Sequence, residues 1–366
     1  MRIGFIARMD DTGLGNQSLE LTKMLNPYKV FLVDSSGWNE GKFATHPEWY
    51  KDYNTQLGNP EGWIQEQEVV EFLKDLDVVI SCELFYSDNL VPFARDRGIK
   101  TILQFNYEFL HHMEPKHLPD VLLAPSLWHI EDVEKLYGNQ CEVIHLPPPT
   151  EHTQFNKVKE NNLSKKHRRL LHVVGKAATQ DRNGTNTVIE MLKYAESDFE
   201  IVFKVQTGSS FICNDPRARI EYSNIENRVD LYDGFDALIL PRRFAGLCLP
   251  MNEALLSGLP VIMTNISPNN KVLPKEWLIR SSQIKIFNTR RTITAYAGSP
   301  VELAQKIDSY MAMEDNTSLK ESAYNIGYNQ FSQESLKQNY LNLFEYLEIM
   351  LKVKEILPNI KRRAYF

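Results

Sequence analysis

The chain has 366 residues, too many for one ordinary core and suited to two domains of roughly 150–200 residues each. Hydrophobic residues make up 43% and charged residues 24%, the balance of a soluble globular protein and not of a disordered or membrane-embedded one. A net charge of -6 argues against a general polyanion binder, which carries a basic excess, and leaves room for a local basic face.

In chain order, strands alternate with helices. "RIGFIA" reads as a buried strand, "MDDTGLGNQ" as a glycine-bearing loop and "SLELTKMLN" as a helix, with "KVFLVD" the next strand. The stretch from Gly37 to Trp63 is rich in Gly, Asn, Trp and Tyr and reads as a long irregular insertion. Its aromatics (Trp38, Trp49, Tyr50, Tyr53, Trp63) are of a kind to stack an acceptor or to pack a satellite cluster. "EQEVVEFLKDL" is helical, "DVVISCE" a strand, "LVPFARDRG" a helix, "KTILQFN" and "DVLLAPS" strands, "LWHIEDVEKLYG" a helix, and "CEVIHLPPP" a strand closed by prolines. "NKVKENNLSKKHRR" is polar and without periodicity, as a linker is, and its "KKHRR" run reads as a solvated surface. The rhythm then restarts: "LLHVVG" strand, "GTNTVIEMLKYA" helix, "EIVFKVQ", "ARIEYS" and "DALILP" strands, "PMNEALLSG" helix, "PVIMT" strand. "SPVELAQKIDSYMAM" and "FSQESLKQNYLNLFEYLEIMLKVKEIL" are helical by their apolar spacing.

This βα alternation predicts two parallel, doubly wound α/β domains with a ligand between them, facing the carboxyl ends of both sheets. The predicted organisation is residues 1–155 as a first Rossmann-like domain, 156–169 as a linker, 170–330 as a second, and 331–366 as helices returning to the first. The four cysteines, Cys82, Cys141, Cys213 and Cys248, form no CxxC pair, which argues against a zinc site or a disulfide framework. "MRIGFIARMDD" lacks the apolar core of a signal peptide, and no segment approaches the length of a membrane span. A cytoplasmic protein without integral membrane contact is expected.

The most informative passage is "PRRFAGLCLPMNEALLSGLPVI" at 241–262. "DALILP" ends a strand at the carboxyl edge, where parallel sheets bind ligands. Gly246 lets a backbone approach something bulky, and the amides of Gly246, Leu247 and Cys248 lead into a helix with Pro250 in its first turn. Free amides at the positive end of a helix dipole form an anion site. Glu253, one turn in, can accept hydrogen bonds from the vicinal hydroxyls of a ribose. Phosphate amides beside a ribose carboxylate describe a nucleotide pocket.

The passage resembles the signature of retaining GT-B glycosyltransferases of the family-4 type, roughly "PSxxEGFGLPxxEAxxxGxPVI". Pro241, Gly246, Leu249, Pro250, Glu253, Ala254, Gly258, Pro260, Val261 and Ile262 match in register. The resemblance implies a nucleoside-diphosphate-sugar pocket, with Glu253 on the ribose and the Gly246–Leu247 backbone near sugar and diphosphate. The first glutamate of the family's pair, which commonly touches a donor-sugar hydroxyl, is Ala245 here. That departure bears on sugar identity more than on nucleotide binding. "HVVGKAATQDRNGTNTVIEML" resembles the start of the family's donor domain. There, an arginine and a lysine neutralise the diphosphate, and this chain offers Lys176 after Gly175, then Arg182. "MDDTGLGNQSLEL", with Gly13 and Gly15, resembles the glycine-rich loop bordering donor phosphates or acceptor. "VIHLPPPTEHTQF" resembles the interdomain hinge, and "FSQESLKQNYLNLFEYL" the terminal crossing helix.

The expected function is therefore transfer of a hexose or pentose from a nucleoside-diphosphate sugar to a hydroxyl acceptor with retention of configuration. Lys176, Arg182 and Glu253 are the expected catalytic groups. Gly15, Gly175, Gly246, Leu247, Cys248 and Arg243 are expected to bind the donor, with Arg242 as ready to be a surface residue as a substrate contact. Glu108, His111 and His112, in "NYEFLHHME" after a first-domain strand, are the candidate acceptor or sugar contacts. No convincing DxD-like pair is present, so neither metal nor other cofactor is expected. Glycan, lipid-linked sugar, protein, metabolite and modified nucleic-acid base all remain as acceptors. A sugar-nucleotide epimerase of the same fold, or a nucleotide-binding relic without turnover, is the alternative.

Overall fold

Buried apolar runs set the strands, and in the computed structural model they form two all-parallel sheets. The structure describes residues 1–39, 44–175, 181–205, 212–222, 227–244 and 246–363. Contacts divide the chain into one unit of Met1–Pro149 with Gln333–Phe366 and another of Thr150–Ser332.

In the first unit the elements run β1 (Ile3–Arg8), α1 (Gly13–Leu25), β2 (Lys29–Val33), α2 (Ser36–Asn39), β3 (Thr55–Leu57), α3 (Glu66–Phe72), β4 (Val78–Cys82), α4 (Leu90–Asp96), β5 (Lys100–Gln104), β6 (Val121–Ala124), α5 (Ile130–Tyr137) and β7 (Glu142–His145). The second unit holds α6 (Asn156–Ser164), β8 (Arg169–Gly175), α7 (Thr185–Met191), β9 (Glu200–Val205), β10 (Ala218–Tyr222), β11 (Ala237–Leu240), α8 (Leu249–Leu256), β12 (Val261–Thr264), α9 (Asn269–Val272), β13 (Leu278–Ile279), β14 (Ser281–Asn288), β15 (Thr292–Gly298), α10 (Pro300–Ala312) and α11 (Thr317–Phe331). The last helix, α12 (Gln333–Arg363), belongs to the first unit. No helix among the described residues is long and apolar enough to cross a membrane.

The first sheet has the order β3-β2-β1-β4-β5-β6-β7 and the second β10-β9-β8-β11-β12-β13. Strands such as β4 and β11 are buried along their whole length, as parallel strands must be when helices cover both faces. In the first unit α12 supplies Leu336, Tyr340, Leu343, Phe344 and Leu347 to one face of the sheet, and the Tyr340 hydroxyl donates to the Pro147 carbonyl at 3.0 Å. The opposite face packs against Val69 and Phe72 of α3, Leu90 of α4 and Val133 of α5. In the second unit α8 and α11 line one face, and α7 and α10 the other.

Several expectations need correction. The glycine-bearing loop at 9–17 is largely helix: α1 starts at Gly13, because the Thr12 side chain accepts from the Gly15 amide at 3.3 Å and caps the helix. The insertion contains β3, which pairs with β2 as an edge strand. Tyr50 is fully buried, with its hydroxyl on the Arg8 carbonyl at 2.9 Å, and Trp49 and Tyr53 pack beside it, so these aromatics are core. Trp63 is exposed. The polar stretch read as a linker forms α6. There the Asn162 amide donates to the carbonyls of Tyr232 (3.0 Å) and Ser257 (2.9 Å), and its oxygen accepts from the Gly234 amide at 2.9 Å. One buried amide thus does what an apolar stripe does elsewhere, anchoring the helix without periodicity. Nothing in the sequence reading anticipated α11 or the antiparallel ribbon β14–β15.

Candidate functional site

Numbered within its own unit, the second sheet has the strand order 3-2-1-4-5-6, and the connection reverses between β8 and β11. That reversal opens a crevice beyond the carboxyl ends of the two strands, the place where open α/β sheets take ligands. The loops entering it are the two that the sequence reading singled out, after "HVVG" and after "ALIL".

The loop after β8 is shaped by backbone requirements. Gly175 has φ +66° and Gly184 φ +75°, and a Cβ at Gly184 would collide with the Pro241 carbonyl oxygen. Only glycine lets this loop lie against the start of the 241–262 passage. The Asn183 amide ties it back to β8 through the Val173 carbonyl at 2.9 Å. Asp181 accepts from the amides of Thr185 (2.6 Å) and Asn186 (3.2 Å), capping α7. Burial raises the Asp181 pKa, against those amides and Arg243, which lower it.

Arg182 and Arg243 come together here. The Arg243 amide donates to the Arg182 carbonyl at 2.9 Å, and its guanidinium stands 3.8 Å from Asp181. The Arg182 guanidinium lies over the Phe244 ring, 5.4 Å from its centroid. Phe244 packs edge-on to Phe287 of β14 at 5.0 Å. The Tyr296 amide of β15 donates to the Arg243 carbonyl at 2.9 Å. Buried Arg242 reaches the Leu247 carbonyl at 3.2 Å. Lys176 and Ala245 lie outside the described residues.

Cys248 is the residue before α8, with no side-chain capping bond, and Pro250 occupies the first turn. No side chain caps this end, while the Met251 and Asn252 amides donate to the Cys248 carbonyl at 3.0 and 3.2 Å and Pro250 has no N–H to offer. Further along α8, buried Glu253 accepts from the Tyr232 hydroxyl at 2.6 Å and pairs with Arg228 at 3.4 Å. Both partners come from the 3-10 turn Arg228–Tyr232, and neither figured in the sequence reading. Burial and the Glu253 carboxylate push the Tyr232 hydroxyl far above its ordinary range, so it remains a donor. Among the described residues, Arg242 Nε and Asn252 Nδ2 are buried donors without a hydrogen-bond partner.

A further residue missed in the sequence is His172, wholly buried in β8. Its Nδ1 meets the Ile239 carbonyl at 2.7 Å and its Nε2 the Thr185 hydroxyl at 2.9 Å. A carbonyl only accepts, so Nδ1 carries the proton and Nε2 takes the hydroxyl hydrogen. Burial lowers its pKa to about 4, and the neutral ring fastens β8 to β11 and to the start of α7. The signal was a lone histidine inside the apolar run "LLHVVG".

The remaining site residues belong to the first unit. A Cβ at Gly15 would collide with the Asp10 carbonyl oxygen, so this glycine serves the close approach of α1 to the end of β1. Glu108 is buried in a 3-10 turn after β5, while His111 and His112 are exposed. The His111 carbonyl accepts from the Tyr137 hydroxyl at 3.3 Å.

No family model matches the sequence, and no curated protein matches it. Solved structures do resemble it. A glycosyltransferase from Rickettsia africae is 13% identical with a TM-score of 0.65, over 94% of this chain and 98% of that one. HepE from Anabaena, in complex with UDP and glucose, is 9% identical with a TM-score of 0.63, over 94% and 100%. Sucrose-phosphate synthase from Thermosynechococcus elongatus is 13% identical with a TM-score of 0.62, over 96% and 100%. These likenesses establish the GT-B fold: two Rossmann-like α/β units, with the terminal helix returning to the first.

Proposed function

We propose that the chain is a retaining glycosyltransferase of the family-4 type that moves a hexose or pentose from a nucleoside-diphosphate sugar to a hydroxyl acceptor. The observation that carries this reading is the convergence of Arg182, Arg243 and the uncapped start of α8 at the strand-order reversal of the second sheet. That HepE is seen with UDP and glucose lends it support. In this reading Lys176 and Arg182 neutralise the diphosphate, the 246–248 amides bind its oxygens, and Glu253 accepts from the ribose. Negative charge on the leaving diphosphate grows as the glycosidic bond breaks, so fixed cations stabilise the transition state more than the bound donor. We propose that these cations take the place of a metal, and that the reaction runs in a reducing, cytoplasmic setting, for which the four unpaired cysteines speak.

The test uses Glu253. Alanine there strands Arg228 and Tyr232, so the shape-preserving Glu253→Gln accompanies it. Binding of a panel of nucleoside diphosphates, UDP among them, is expected to weaken at least tenfold in both, the worth of about 1.5 kcal/mol or more in charge-assisted hydrogen bonding. Wild-type affinity in a folded Glu253→Gln protein overturns the assignment. Turnover of the donor separates the classes: an epimerase converts donor alone, a transferase consumes it with acceptor, and a relic does neither.

A further inference from the structure

We propose that Phe287 of β14 is a positioning residue for the donor-binding edge: it holds the Arg182 guanidinium in place through the Phe244 ring, an inference that rests on the donor reading of Arg182 above. The β14–β15 ribbon forms a sheet of its own, outside the six-stranded one. A two-stranded ribbon is marginal in isolation, so what it packs against fixes its place. Ile293 and Ala295 are fully buried, and Phe287 stands opposite Ile293. Lys285, opposite Ala295, lies over the Phe287 ring, 5.3 Å from its centroid.

The ribbon meets the loop after β11 at two points. The Tyr296 amide donates to the Arg243 carbonyl at 2.9 Å, and the Phe287 ring stands at 72° to the Phe244 ring, with centroids 5.0 Å apart. Phe244 in turn lies under the Arg182 guanidinium at 5.4 Å, while the Arg243 amide holds the Arg182 carbonyl at 2.9 Å. Contacts therefore run from the ribbon through residues 243 and 244 to Arg182 along two routes, one by backbone and one by side chain.

Core packing alone accounts poorly for the side-chain route. Phe244 is buried, yet among the described residues neither its ring nor that of Phe287 joins the two apolar cores of this unit. The pair ends on a charge instead. A free arginine side chain visits many rotamers, and ordering one on binding costs affinity. A guanidinium over an aromatic face spends none of its in-plane N–H donors on that contact, so the ring orders the cation without using the groups that meet diphosphate oxygens. Phe244 orients Arg182, and the edge-on contact with Phe287 keeps Phe244 from turning away. Phe287 has neither charge nor donor, so its influence on a phosphate passes through these neighbours.

The full chain would be titrated calorimetrically with UDP, GDP, ADP, CDP and dTDP, and the tightest of these used for a double-mutant cycle of Phe287→Ala and Arg182→Ala. Phe287→Ala alone is expected to weaken that affinity about fivefold, since binding must then order the released cation. In the Arg182→Ala background the same substitution is expected to change affinity by less than about 1.5-fold, because the group it acts through is gone. Packing without a positioning role gives the same loss in both backgrounds, and that result overturns the proposal, as does wild-type affinity in Phe287→Ala. Urea unfolding checks that each variant folds. Should Phe287→Ala misfold, Phe287→Leu, which keeps bulk at the contact without an aromatic ring, runs the same cycle and gives a smaller loss that also vanishes without Arg182. Failure of the donor reading looks different: Arg182→Ala then binds as tightly as wild type, or no nucleoside diphosphate binds at all, and the proposal falls with it.

Discussion

Both sheets reverse their strand order at the same relative place, between β1 and β4 in one unit and between β8 and β11 in the other. The charge placed there differs. Arg8, leaving β1, turns its guanidinium onto Asp10, with Nε at 2.7 Å and a second contact from Nη2, and Asp10 also accepts from the hydroxyls of Thr12 and Ser35. Asp10 is fully buried, and Arg8 nearly so. In the second unit the loops after β8 and β11 carry Lys176, Arg182, Arg242 and Arg243 against one acid, Asp181, which already caps α7. Topology supplies such a strand-order reversal twice. A handful of side chains sets the two edges apart: the first holds one arginine closed on a buried carboxylate, while the loops of the second carry four cations and one acid.

The sharpest way to break this comparison is to remove one charge from each edge. Asp10→Asn leaves the Arg8 guanidinium buried without its counter-ion, and disrupting such a pair costs about 3–5 kcal/mol. Arg182→Ala gives up a guanidinium stacked on Phe244, worth about 0.5–1 kcal/mol of stability, while donor turnover falls. Urea unfolding of the two variants measures both costs. Equal losses would mean that the second edge is as structural as the first.

The next largest effect concerns pH. Behind the first edge the buried polar contact is an amide pair, Gln17 with Gln104, which does not titrate. Behind the second it is His172, whose pKa is held near 4 by burial against an ordinary value of 6.5. The unfolded chain therefore takes up a proton that the native one refuses. Stability from this group is complete above about pH 6.5 and lost progressively toward pH 4, by about 3 kcal/mol in all. His172→Asn should remove that slope, so that the difference between wild type and variant shrinks as the solution is acidified through this window. A difference that stays constant with pH sinks the assignment.

What was legible follows from where the forces lie. Strands such as "ALIL" are buried on both faces, so a run of apolar residues states both their type and their place. The helix α8 announced itself through Pro250 and Gly258, which bracket it. By contrast α11 was hidden by Gly327, whose missing side chain lets α11 lie against the Leu255–Leu256 backbone of α8, a tertiary reason that no local pattern carries. The buried pair of Lys320 and Asp236, 2.8 Å apart and both wholly inaccessible, was invisible for the same cause, since the residues are far apart in sequence. In the candidate site, Glu253 and Arg182 stand out in the sequence because a spaced motif holds them. Tyr232, Arg228 and His172 do not, since each acts through a partner from another element.

The smallest effect tests whether Glu253 is a ligand group or a fastener. Tyr232→Phe removes only the hydroxyl that donates to the carboxylate at 2.6 Å, while Arg228 keeps the other oxygen at 3.4 Å. The site is buried, so the lost bond costs about 1.5 kcal/mol of stability, the low end for a charge-assisted contact. Should Glu253 only fasten the 3-10 turn to α8, the loss ends there and nucleoside-diphosphate affinity is unchanged. As a ribose acceptor, the carboxylate loses one of two constraints on its orientation, and binding must then restore that order. Affinity for the best-bound nucleoside diphosphate is then expected to fall about three- to tenfold, less than in Glu253→Gln, which removes the charge itself. Calorimetric titration of the two variants side by side resolves the order of effects. Unchanged affinity in Tyr232→Phe, accompanied by the full loss of stability, would make Glu253 a structural carboxylate and leave the arginines of the second edge as the principal donor contacts.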